Sequence, residues 1–304
     1  MQNQSSDIRD GVIAGLVTYL IWGFLPVYFK TVASVDPLEV LSHRIIWAIP
    51  FGAVILFARR QWQEVQRALT HRTMLAWLSL SALFIACNWL IYIWAIQDER
   101  IFETSLGYYI NPLIYMLVGV AFFGERLRPL QASAVALAVV GVLVLTISGG
   151  EVPLVALALA GTFTVYGVIR KRVVIGGMPG LFVETLLLSP LAVTWFVWIS
   201  IGGQAVFAGG DNWLTFWLVM AGPITALPLL CFALAARRLP LTTIGFMQFL
   251  APTIQFLTGI YYGEQLTTAH LICFGFIWAA VLFFSIDAVG AGKKKPPRAQ
   301  PAEA

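Results

Sequence analysis

The chain has 304 residues, of which 59% are hydrophobic and only 11% charged, with a mean hydropathy of +0.83. A soluble domain keeps about a quarter of its residues charged, so this composition excludes a soluble enzyme or binding module and points to an integral membrane protein. The formal charge of +4 and pI near 9.0 invite a nucleic-acid reading. The basic residues, however, sit in short clusters between apolar runs and offer no face to a phosphate backbone.

A span needs roughly 20 mostly apolar residues. On that ruler the sequence predicts ten, at about 12–31, 38–58, 74–96, 103–123, 130–148, 153–170, 180–201, 213–235, 241–262 and 269–288. Residues 1–11 read as a short polar tail, and the full-length first run, interrupted by Pro26, fits a span better than a cleaved leader. From 289 the chain reads as a disordered basic tail carrying Lys293, Lys294, Lys295 and Arg298. Cys87, Cys231 and Cys273 lie within apolar runs, odd in number and without ligand spacing, so neither a disulfide nor a metal is expected. No cofactor is expected either.

Orientation follows from the basic residues. With the N-terminus inside, 16 of the 19 lysines and arginines fall on the cytoplasmic side, leaving Lys30 and Arg100 outside and Arg44 within span two. Both termini are then cytoplasmic.

The fourth and ninth spans repeat one pattern. ETSLGYYINPLIYMLVGVAFFGE (103–125) and TTIGFMQFLAPTIQFLTGIYYGE (242–264) each carry an early Gly, a mid-run proline (Pro112, Pro252), a Gly seven residues on, and a closing Gly-Glu. Spans two and seven each follow a proline, carry an early Glu (Glu39, Glu184) and meet another proline later (Pro50, Pro190). Five spans per repeat is an odd number, so the second copy, 153–288, sits upside down relative to the first, 12–148. In that plan the substrate lies between the halves near the midplane.

The segments IWGFLPVYFK (21–30), LSHRIIW (41–47), NWLIYIWAI (88–96), SLGYYINPL (105–113), GERLRPLQ (124–131), YGVIRKR (166–172) and PLLCFALAARRL (228–239) resemble RarD proteins, as does FLTGIYYGE at the end of span nine. These form the chloramphenicol-sensitivity group of bacterial EamA-type permeases, within the drug/metabolite transporter superfamily. The resemblance covers roughly 11–288. It implies an all-α inner-membrane permease of ten helices in two EamA repeats, moving a small metabolite or drug, without naming the substrate. The basic, Pro-rich C-terminus departs from the pattern.

Helical spacing sorts the deep polar residues into faces. Tyr108, Asn111 and Tyr115 share one stripe of span four, Gln248 and Gln255 one of span nine, and Asn88 and Tyr92 stand one turn apart in span three. Trp22 and Tyr166 lie deep in spans one and six. Such residues suit a cavity for amphipathic organic molecules. Intramembrane amides also tie helices together, at about 0.6 to 2 kcal/mol per contact, and for Asn88, Asn111 and Gln248 both roles stay open. Pro112 and Pro252 are expected to act as hinges. His43, Arg44 and Glu184 are candidates for ion pairing, anion recognition or proton coupling, with Glu39 the nearest partner for the first two and snorkelling to the surface open to Arg44. Gly11/Gly15 and Gly259/Gly263 read as close-packing pairs, and Glu125 and Glu264 as end caps. No Walker-type loop is present, and His43, His71 and His270 are scattered, so the expectation is a secondary transporter rather than an enzyme, with a channel or scaffold as the alternative. The expected partners are a small solute and the lipid bilayer.

Overall fold

The computed structural model describes residues 2–123, 126–150, 152–239 and 241–293, and these are all-helical in their regular structure. In chain order the helices are α1 (Gln2–Gly23), α2 (Leu25–Thr31), α3 (Pro37–Ala58), α4 (Trp62–Thr70), α5 (Arg72–Gln97), α6 (Ile101–Phe123), α7 (Pro129–Gly149), α8 (Leu154–Arg172), α9 (Gly177–Ile201), α10 (Asn212–Arg238), α11 (Leu241–Met247), α12 (Leu250–Tyr261) and α13 (Thr268–Lys293). Among the described residues nine stretches are long and apolar enough to cross a bilayer, and the pair α1–α2, bent by 40°, makes a tenth.

Hydrocarbon supplies no hydrogen-bond partners, so a spanning backbone must satisfy itself within a helix. The local sequence supports this at the ends and inside. Asp36 accepts from the Leu38 N–H at 2.9 Å with Pro37 opening α3, and Asp211 accepts from Trp213 and Leu214 at the start of α10. Embedded hydroxyls turn back on their own helix, as Ser42 does to the Leu38 carbonyl at 2.7 Å and Thr225 to that of Ala221 at 2.8 Å.

Several boundaries differ from the sequence reading. Span nine breaks at Gln248–Phe249, between α11 and α12, rather than at Pro252 itself. The Pro252 ring would clash with the carbonyl four residues back, at 248, so the helix restarts just after that point. Pro112, in contrast, lies within α6 without ending it. The short helix α4 has no counterpart among the expected spans; Val65 and Ala68 form its buried face, and the Trp62 ring lies 5.4 Å from that of Phe182. Helix α1 begins at Gln2, inside the expected tail 1–11, and α13 continues through Lys293, past the expected end of the last span. Residues 294–304, and Glu125 with its preceding glycine, lie outside the described residues.

Helix α13 runs along α7. The others form a ring: α1 packs on α10 and α12, α3 on α9 and α10, α5 on α8 and α9, and α6 on α8 and α12. Small residues set the closest approaches. A Cβ at Gly222 of α10 would stand 2.4 Å from the Trp47 carbonyl oxygen of α3, and one at Gly107 of α6 would stand 2.8 Å from that of Ala156 in α8. Gly11, Gly15 and Gly259 are likewise close to neighbouring side chains, whereas Gly263 sits at φ 76° in a turn with nothing near it, which corrects its reading as a packing residue.

Candidate functional site

Inside the ring, aromatic side chains from four helices line up. Centroids step from Phe29 (α2) to Tyr92 (α5) at 5.8 Å, to Tyr108 (α6) at 5.7 Å, to Phe163 (α8) at 6.0 Å and to Tyr166 (α8) at 5.8 Å. An ionisable group stands at each end of this row. Arg44, on α3, holds its guanidinium 4.2 Å over the Trp89 ring and 5.7 Å over that of Phe29, while its Nε donates to Thr225 Oγ1 of α10 at 2.9 Å. It is only 7% exposed and does not snorkel. Glu39 is not its partner: that carboxylate accepts from the Val206 and Phe207 N–H groups at 2.9–3.2 Å and lies 3.9 Å from His43 Nε2. His43 Nδ1 accepts from the Trp47 indole at 3.2 Å, and its ring packs against Phe196 and Phe207.

At the other end Glu184, fully buried in α9, accepts from Ser81 Oγ at 2.6 Å and from Tyr166 OH at 3.5 Å. Arg170 Nη1 stands 3.7 Å from it. On the sequence alone, Arg170 counts only among the cytoplasmic charges. Its side chain instead crosses Gly180, where a Cβ would collide with the guanidinium, and donates to the Gly176 carbonyl at 3.2 Å. The available signal was Gly180 at the end of GGMPG, which leaves room for an incoming side chain.

The amides mostly tie helices together. Asn88 donates to the Leu159 carbonyl and to Thr162 of α8 at 3.0 and 2.9 Å while accepting from Tyr108 at 3.4 Å. Asn111 donates to the Ala160 carbonyl and to Thr164, both at 3.1 Å, and Tyr115 donates to the Phe163 carbonyl at 3.2 Å. On the opposite side Gln255 donates to the Trp22 carbonyl at 3.1 Å, leaving its Oε1 buried without a partner among the described residues. The Trp22 ring packs 6.0 Å from Phe232. Gln248 is half-buried at the break before α12, its backbone N–H bonded to Ile244. Of the sequence candidates, then, Asn88, Tyr92, Tyr108 and Tyr166 join the aromatic row, with Arg44 and Glu184 at its ends. Asn111 and Tyr115 lie in the α6–α8 seam, and Trp22 and Gln255 in the α1–α12 seam.

The two ends of the bundle differ. Two clefts open at the end bearing most of the basic residues. One of about 510 Å³ is bounded by Glu64, Arg67, Met74 and Lys171, and one of about 280 Å³ reaches Leu230 and Phe232, beside Trp22. At the opposite end carboxylates bind helix N-termini. Glu264 accepts from the Phe102 N–H at 3.1 Å, closing α6 against the α12–α13 turn, and Glu103 accepts from the Val155 N–H of α8 at 3.3 Å while pairing with Arg100. Burial, with the nearby Glu103 charge, pushes the Glu264 carboxyl up to about 7, against the pull of the Phe102 and Ile101 N–H groups. No group of His, Cys, Asp and Glu among the described residues could hold a metal ion.

The EamA-like transporter family model matches residues 9–147. A protein of Vibrio cholerae named "Uncharacterized transporter" is 42% identical over 294 residues, covering 96% of this chain and 97% of its own. Protein RarD of Salmonella typhi is 42% identical over 290 residues, covering 94% and 98%. This chain belongs to the RarD group of the EamA family. The RarD-group chain also shares its fold with a protein solved by crystallography, at 18% identity and a TM-score of 0.61 over 92% of this chain and 98% of the other. It is a membrane transporter, a multi-pass protein of the bacterial inner membrane.

Proposed function

We propose that this RarD-group protein is a secondary carrier, not an enzyme, moving a small organic metabolite or amphipathic drug by alternating access between two inverted five-helix repeats, driven by a proton gradient or by exchange. The observation that carries the reading is the packing order. Let α1–α2, α3, α5, α6 and α7 be spans one to five, and α8, α9, α10, α11–α12 and α13 spans six to ten. Exchanging each span for the one five places on turns span one on eight into six on three, two on eight into seven on three, and four on six into nine on one. Each of these pairs is a contact. Two on seven, four on nine and five on ten map onto themselves and are contacts too. Together with the bias of basic residues, which favours cytoplasmic termini, this packing supports a two-fold arrangement in which a solute site lies between halves.

The aromatic row from Phe29 to Tyr166 crosses between the halves and supplies stacking surface with few charges. The carboxylate ties at the outer end and the cleft reaching Phe232 at the cytoplasmic end support a conformation closed outside. Gln248 and Pro252, at the break in span nine, and Pro112 in span four are placed to serve as hinges. The test is a thermal-stability screen of the purified chain against metabolites and amphipathic drugs, since a binder raises the melting temperature by mass action, followed by counterflow of the best stabiliser in vesicles. Trans-acceleration is the expected result. Equilibration without it would indicate a channel, and no movement a scaffold.

A further inference from the structure

We infer that Arg44 is the docking point for an oxyanion on the transported solute, which is therefore a small organic monoanion with an apolar or aromatic body. This deepens the carrier reading above and rests on it.

A guanidinium among apolar side chains is costly unless a counter-charge meets it. Arg44 begins seven residues after Pro37, the first residue of α3, hence about 10 Å below that end at 1.5 Å per residue. Its Nε is taken by the neutral hydroxyl of Thr225 and its face by Trp89, and no carboxylate lies within ion-pair distance among the described residues. The nearest acid along α3, Glu39, is spent on the Val206 and Phe207 N–H groups. The two terminal nitrogens carry no hydrogen bond to described residues, yet, unlike His43 Nε2, they are not sealed from water. They present the planar fork that receives a carboxylate or similar oxyanion through two parallel bonds.

The second half shows what a balanced version looks like. A spacing of 140 residues relates Pro50 to Pro190, Pro112 to Pro252 and Gly119 to Gly259, and the same spacing relates Arg44 to Glu184. Both bond to the opposite half, Arg44 to Thr225 of α10 and Glu184 to Ser81 of α5. Glu184, however, has Arg170 at 3.7 Å, whereas Arg44 has no such partner. Arg44 thus lacks the ion-pair partner that Glu184 has, and a single oxyanion on the solute supplies it. Tyr92 and Tyr108, next along the row, take its apolar body.

The experiment measures binding of 3-phenylpropionate, 3-phenylpropionamide and 3-phenylpropylamine, which share ring and chain but differ in charge, to the purified full chain by isothermal titration and melting temperature. The acid is expected to bind at least tenfold more tightly than the amide, and the amine not at all. Arg44→Gln is expected to abolish that preference while melting no lower than the wild type, because a buried charge has gone. Arg44→Lys should keep part of it. Equal binding of acid and amide, an acid preference that survives in Arg44→Gln, or no binding of any of the three by the wild type would overturn the inference. Counterflow separates the two levels. A chain that exchanges a neutral or cationic solute without this preference remains a carrier with no anion site at Arg44, and a chain with no counterflow loses both readings.

Discussion

Gly222 lets α10 touch the backbone of α3 at Trp47, and no side chain can move aside to admit a methyl there. Gly222→Ala should therefore lower stability by about 1–3 kcal/mol through forced separation of the helices, whereas Gly161→Ala, with nothing within 4 Å, should be neutral or stabilising. Melting temperatures in detergent check both. Glu184 and Arg170 form a buried pair, so Glu184→Gln leaves a buried cation without its counter-charge and should cost about 3–5 kcal/mol. Arg170→Met in the same chain should restore much of that, and a double-mutant cycle measures the coupling. Glu264 gives a pH signature. Its carboxyl titrates near 7 when folded and near 4.5 when unfolded, so the folded state binds the extra proton between these values. Stability then falls as pH rises from about 4.5 through 7 and levels off above. In Glu264→Gln this slope should vanish, while the remaining pH dependence stays. At this scale the sequence showed which polar residues lie deep, because apolar runs make them conspicuous. It could not show their partners: Glu39 stood one turn from Arg44 yet bonds a loop more than 160 positions away.

Among the elements, hydrophobic length alone made the long spans legible, since a bilayer core sets a fixed minimum. Helix α4 escaped because that ruler looks for about 20 apolar residues and α4 is only nine residues long and mostly polar, though Trp62, Val65 and Ala68 at three-residue spacing mark its amphipathic face. That face packs against α5 and α9, and Glu64 of α4 accepts from the Gly176 N–H at 2.8 Å. Val65→Asp should cost about 2–4 kcal/mol by burying an unpaired charge, read as a lowered melting temperature, whereas Gln63→Asp on the exposed face should not. The prolines were visible but their effects were not. Pro252 displaces its break to residues 248–249 while Pro112 leaves α6 whole, because a proline removes one hydrogen bond and the surrounding helices decide whether the turn before it holds.

For the whole molecule, the repeat and the charge asymmetry in the sequence motivate the proposed two-fold plan, and the helix contacts are the observation that supports it. What the sequence could not convey is which contacts hold each end, because Glu264 and Glu103 on helix N-termini at one end, and clefts beside the Glu64–Gly176 tie at the other, are three-dimensional facts. The central claim is a solute site between the halves that opens to one side at a time. Its most direct test places a single cysteine at Tyr108, with Cys87, Cys231 and Cys273 replaced, and labels it with a membrane-impermeant maleimide from each face of sealed vesicles. Adding a pair of cysteines at Phe102 and Gly259 allows the outer end to be cross-linked, with a chain carrying that pair alone as the baseline for labelling at position 108. The account predicts labelling from both faces before cross-linking and from the cytoplasmic face alone afterwards. Labelling from neither face, or outer labelling that survives the cross-link, would contradict it.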